Sequence, residues 1–225
     1  MIRKNLMLEE NKYIEQYHTA INNLMDENNI ELILYPLINL ILQIIEIEIK
    51  SLIAEVYYDT QTMKEFKIDN THDLEKLVEN SELKKYYEDI NDFENIFGEY
   101  KKNILYFYNI LGENSFLNSR YPIERTKNKI IVKNKDIDLN EFKEKWLSYC
   151  EIYQLIIKIY IAYSLSNAIH YLKDINKSKE EIEIFKIKYV NESLEEAEEI
   201  DKITVYIFLE KFMKRDKYID YKYVQ

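Results

Sequence analysis

Residues 32–56 read LILYPLINLILQIIEIEIKSLIAEV. Apolar side chains recur on almost every side of a helix drawn through this stretch, and a helix of that kind is buried. One ordered polar row interrupts it. Asn39, Gln43, Glu46 and Lys50 are separated by four, three and four residues. At about 100° per residue they form a single stripe. A carboxylate, two amides and an ammonium inside an apolar rod need partners, because unpaired burial costs several kcal/mol. The expectation is a hydrophilic seam in the core. Glu46 and Lys50 stand at i, i+4 in the favourable order, which suits a structural ion pair.

Outward from this helix, composition limits the alternatives. The chain has 225 residues, 47% of them hydrophobic, with only two Gly and two Pro. So few breakers predict long helices, joined in one continuous domain over 1–225. The formal charge of −10 argues against a general grip on nucleic acid. The 21 Tyr residues fit half-buried helix positions, with a base-stacking surface as the alternative. A single Cys150 and no apolar leader suggest a reducing cytoplasm. The longest uncharged run, Leu32 to Ile45, is fourteen residues, so a core helix is expected and not a membrane span.

Further helices are expected at about Leu6–Met25, Asp92–Leu111, Leu139–Leu172 and Glu192–Arg215, with a short one opening after Asp69-Asn70-Thr71. Leu74, Leu77 and Val78 make the inner face of the short helix, and Gly112 is a natural residue past the end of a helix. Residues 181–184, Glu-Ile-Glu-Ile, alternate like a strand, although Phe185 breaks the parity. Between 113 and 138 the helical period disappears. Tyr121-Pro122-Ile123 and Ile130-Ile131-Val132 predict a small β-hairpin insert. It carries Arg120, Arg125, Lys127, Lys129, Lys133 and Lys135, the one clearly basic region and a candidate contact for RNA or an acidic partner.

Three segments in order carry a resemblance. Tyr35-Pro36 precedes Gln43-x-x-Glu46-x-x-x-Lys50; Thr71-His72-Asp73-Leu74 follows; Arg120-Tyr121-Pro122 comes last. The arrangement resembles HEPN-like proteins of prokaryotes over roughly residues 30–165. The resemblance implies a mostly α fold, an antiparallel helical bundle, that often forms a homodimer. It also implies ties to phage defence, toxin–antitoxin pairs or RNA processing. Many members of that family are metal-independent ribonucleases with Arg followed by His after four to six residues. Here the arginines are Arg3, Arg120, Arg125 and Arg215, and the histidines are His18, His72 and His170, so that spacing is absent. The expectation is therefore a binding or regulatory protein in defence or stress response, acting through protein or RNA.

Two alternatives stand beside it. One is a divergent ribonuclease using His72 or His170 with Arg120. The other is a phage-encoded inhibitor whose acidic surface occupies a basic cleft. Neither zinc spacing nor a Gly-rich phosphate loop is present, so no metal and no cofactor are expected. The structural seam is expected to comprise Asn39, Gln43, Glu46, Lys50, His72 and Asp73.

Overall fold

Long helices follow from the scarcity of breakers. In the computed structural model, α1 spans Ile2–Met25, α2 Ile30–Thr60, α3 Leu74–Val78 and α4 Glu94–Asn109. Two short strands follow, β1 Ile123–Thr126 and β2 Lys129–Val132. Then come α5 Leu139–Asp174, α6 Lys179–Ser193 and α7 Glu199–Met213. The structure describes residues 2–26, 30–60, 71–81, 83–84, 94–112, 123–126, 129–132, 136–195 and 199–214. Side chains are described within these except at 2–12, 31, 57–60, 94, 123–126 and 129–132.

The chain divides into two compact units, and the boundary between Tyr149 and Cys150 falls inside α5. In the first unit α2 is the core helix. Leu37, Ile38, Ile41, Leu42, Ile44, Ile45 and Ile49 are all fully buried. Pro36 lies inside α2. It removes the N–H that would bond the Leu32 carbonyl, and Leu32 is 82% exposed, so water can serve that oxygen.

α3 opens on Asp73, whose side chain accepts from the Lys76 N–H. The cap is therefore Asp73 and not the expected Asp69-Asn70-Thr71 run. Thr71 instead accepts the Asp73 N–H through Oγ1 at 3.0 Å, bending the chain ahead of the helix. Leu74, Leu77 and Val78 are buried as expected. α4 ends before Gly112, whose φ of +83° and N–H donation to Asn109 O at 2.9 Å suit a residue without Cβ.

In the second unit, α5 terminates with Asn176 at φ +57°. The N–H groups of Asn176 and Lys177 return to the carbonyls of Lys173 and Leu172, a Schellman closure. Two residues later Ser178 starts α6 with a reciprocal cap. Ser178 Oγ accepts from Glu181 N at 3.1 Å, and Glu181 accepts from Ser178 N at 2.9 Å. The strand-like reading of 181–184 is thus corrected: these residues are the first turns of a helix. The Ser-x-x-Glu signature at 178–181 outweighs four residues of alternation. The expected final helix from Glu192 is also corrected. α6 runs to Ser193 with Leu194 as its C-cap, and α7 begins at Glu199. Lys158 of α5 pairs with Asp201 of α7, and Tyr163 meets Phe212 edge-on at 5.6 Å.

β1 and β2 pair antiparallel, with Ile123 opposite Val132 and Thr126 opposite Lys129. The rest of the expected insert, 113–122, 127–128 and 133–135, lies outside the described residues. By length and composition, Leu32–Val56 and Leu139–Asp174 are apolar enough to cross a membrane. Half of the most apolar window in the former and 56% in the latter are buried inside the protein, as the core helices of a helical fold also are.

Candidate functional site

Glu46 and Glu48 leave α2 in different directions, since two residues turn a helix by about 200°. Each builds a polar centre within the first unit.

At the first centre, Lys50 Nζ donates to Glu46 Oε1 at 2.7 Å, one helical turn away. His72, one residue before the α3 cap, brings its Nδ1 within 2.9 Å of both Glu46 oxygens. A carboxylate only accepts, so Nδ1 is the proton-bearing nitrogen in this arrangement. The Glu46 side chain is 12% exposed and that of His72 71% exposed. The centre is thus a nearly buried carboxylate holding an outward imidazole. Asp73 continues it by accepting from the Tyr108 hydroxyl at 3.2 Å. Burial raises the Asp73 carboxyl, but the Lys76 N–H, the Tyr108 hydroxyl and the Lys76 ammonium outweigh it and hold the group below its ordinary value. The same neighbourhood pushes Tyr108 up, through burial first and then the Asp73 charge.

The upper part of the row is joined as well. Gln43 Nε2 donates to Asn39 Oδ1, and Tyr17 of α1 donates to Gln43 Oε1 at 3.4 Å. The stripe is therefore bonded as two pairs, Asn39–Gln43 and Glu46–Lys50, and His72 of the His-Asp-Leu segment folds onto the second.

The second centre was not anticipated. Glu48 is fully buried. His18 Nε2 lies 2.6 Å from its Oε1, and the Tyr149 hydroxyl donates to its Oε2. Burial pushes the Glu48 carboxyl above its ordinary value, while His18 and Tyr149 oppose that shift. A column of rings encloses the group. His18 stacks on Trp146 at 5.1 Å, Trp146 on Tyr149 at 5.6 Å, and Tyr149 on Tyr100 at 5.6 Å. Trp146 Nε1 donates to Asn22 Oδ1 at 2.9 Å. Helices α1, α2, α4 and α5 all contribute, so this centre ties the first unit together. The sequence signal was faint: Glu48 breaks the apolar pattern two residues after Glu46, and His18 stands four residues before Asn22 on one face of α1.

His170 belongs to the second unit, half-buried near the end of α5. Burial and the Lys173 charge lower its tendency to protonate, against the Asp174 charge. Arg120, Lys127, Lys133 and Lys135 lie outside the described residues. Arg125 and Lys129 sit on β1 and β2, opposite Ile130 and Thr126 in the register. Among the described residues no group of three or more His, Cys, Asp or Glu side chains is placed to hold a metal ion. No family model, curated protein or solved structure matches this chain.

Proposed function

We propose that this chain is a divergent HEPN-like helical protein that serves prokaryotic defence or stress response in the cytoplasm, by contacting protein or RNA and not by cutting RNA. The observation that carries the reading is the Glu46 carboxylate. It is nearly buried and engaged by Lys50 and by His72, as befits a joint between a core helix and the His-Asp-Leu element. The absence of an Arg-x4–6-His spacing supports the non-cleaving role. The basic stretch around Arg120 and Arg125 supplies the contact surface in this reading, and a homodimer is its expected assembly.

A second reading rests on a different property of the same residues. An imidazole oriented by a carboxylate and 71% exposed is a geometry that general acid–base catalysis uses. His72 would then move the proton in a metal-independent ribonuclease, with Arg120 supplying charge to the phosphate.

Incubation of the purified protein with total RNA in EDTA separates the two. The first reading expects intact RNA and retention of RNA or a protein partner in a pull-down. RNA cleavage abolished by His72→Ala or Arg120→Ala transfers the assignment to the enzyme. A strict monomer that retains neither RNA nor protein defeats the first reading.

A further inference from the structure

The described side chains of α1, residues 13–25, seat the helix with little apolar burial. Ile21 and Met25 are the buried ones among them, at 0% and 5% exposure. Polar contacts add to the hold. Tyr17 donates to Gln43 at 3.4 Å, Trp146 donates to Asn22 at 2.9 Å, and His18 meets Glu48 at 2.6 Å. The last of these holds a proton. An ionised carboxylate only accepts, so the gap between Glu48 Oε1 and His18 Nε2 is bridged by a hydrogen, whichever group owns it.

Glu48 is fully buried. The titratable groups that face it are His18 of α1 and Tyr149 of α5, with the Tyr100 ring of α4 stacked behind Tyr149. On α2 itself the Lys50 ammonium is engaged by Glu46. An ionised Glu48 beside a neutral imidazole is a net negative charge shut away from water, which burial penalises. One further proton makes the centre neutral. Burial accordingly raises the Glu48 carboxyl by more than His18 and Tyr149 lower it. With α1 lifted away, water reaches Glu48 and the carboxyl ionises at its ordinary value. Docking of α1 and retention of the proton therefore favour each other. We propose that the Glu48 centre is a proton-operated latch: α1 rests on the bundle while a proton is held between Glu48 and His18, and loosens when that proton is lost. Loosening uncovers the His18–Trp146–Tyr149 column of rings. This inference is independent of the reading given for Glu46 and His72, since it uses neither residue.

The test is hydrogen–deuterium exchange of the full chain from pH 5 to pH 9, read by mass spectrometry and divided by the intrinsic exchange rate at each pH. Peptides of α1 are expected to lose protection at least fivefold across the range, while those of α2 and α7 change less than twofold. Glu48→Gln places an uncharged amide at the centre and should hold α1 at one level of protection throughout. Tyr149→Phe removes the donor at Oε2 and should carry the loosening to higher pH; it decides the matter if Glu48→Gln does not fold. The proposal is overturned by an α1 profile that is flat in the wild type, by a pH dependence that survives Glu48→Gln, or by one that Tyr149→Phe leaves in place. Equal loosening of α1 and α2 also overturns it, because the proton would then govern the stability of the whole unit and not the seating of one helix.

Discussion

Replacing Tyr149 by Phe removes one hydroxyl from the Glu48 centre and little else. The ring stays, with its stacking on Trp146 and Tyr100. Glu48 keeps His18 but loses the donor at Oε2. A hydrogen bond to a charged group is worth about 1.5–3 kcal/mol and one between neutral groups about 1 kcal/mol. The loss therefore depends on whether Glu48 is ionised. Its ordinary value is 4.5, and burial raises it in the folded chain. Below 4.5 both folded and unfolded chains hold the proton. As pH climbs from 4.5 towards the raised folded value, the unfolded chain releases its proton first. Stability falls through that window and levels off once the folded carboxyl ionises too. The Tyr149 hydroxyl restrains the rise, so Tyr149→Phe lifts the folded value further and deepens the fall. The expected deficit is about 1 kcal/mol at pH 4.5 and about 2 kcal/mol at pH 8. Trp146 is the only tryptophan and stacks within the centre, so urea unfolding followed by its fluorescence reports on this unit. A deficit that is the same at both pH values, or larger in acid, refutes an ionisable Glu48 held by Tyr149.

Four further outcomes are expected. His72→Ala should change stability by less than about 1 kcal/mol in urea unfolding, because the imidazole is 71% exposed and water screens its pair with Glu46. Asp73→Ala should cost about 1 kcal/mol by removing the α3 cap, with Asp73→Asn retaining most of it. Because the Asp73 carboxyl is held below its ordinary 3.8, its contribution is present above that value and disappears as pH falls through the lower folded value, which an acid titration with and without Asp73→Asn checks. Gly112→Ala should cost roughly 1–2 kcal/mol, read by thermal unfolding, since φ of +83° forces a Cβ against the backbone. Ser178→Ala should cost about 1 kcal/mol and speed amide hydrogen exchange at Glu181, whose N–H loses its acceptor while the backbone N–H of residue 178 keeps its bond to the Glu181 carboxylate.

Much of the helical architecture is written locally. Too few Gly and Pro, an almost unbroken apolar run from Leu32 to Val56, and Gly112 past the end of α4 are properties of neighbouring residues. Local chemistry sets them whatever the rest of the chain does. The row Asn39, Gln43, Glu46, Lys50 is legible for the same reason: its members share one helix face, and Gln43–Asn39 and Glu46–Lys50 bond along it. The Ser178-x-x-Glu181 cap was legible too, though the short alternation of 181–184 competed with it. Other features depend on which helices meet. Glu48 looks like any carboxylate on a helix until α1 brings His18 and α5 brings Tyr149, with 30 and 101 intervening sequence steps. No spacing rule spans such distances, because the partners are chosen by packing and not by period. The outward isoleucines of α7 are the converse case. The sequence gives Ile200, Ile203 and Ile207 a common helix side, opposite Val205, Phe208, Leu209 and Phe212, without saying which side faces inward. Tertiary packing buries Val205, Phe208, Leu209 and Phe212 and turns those three towards water, because the neighbouring helices α5 and α6 meet α7 elsewhere on its circumference.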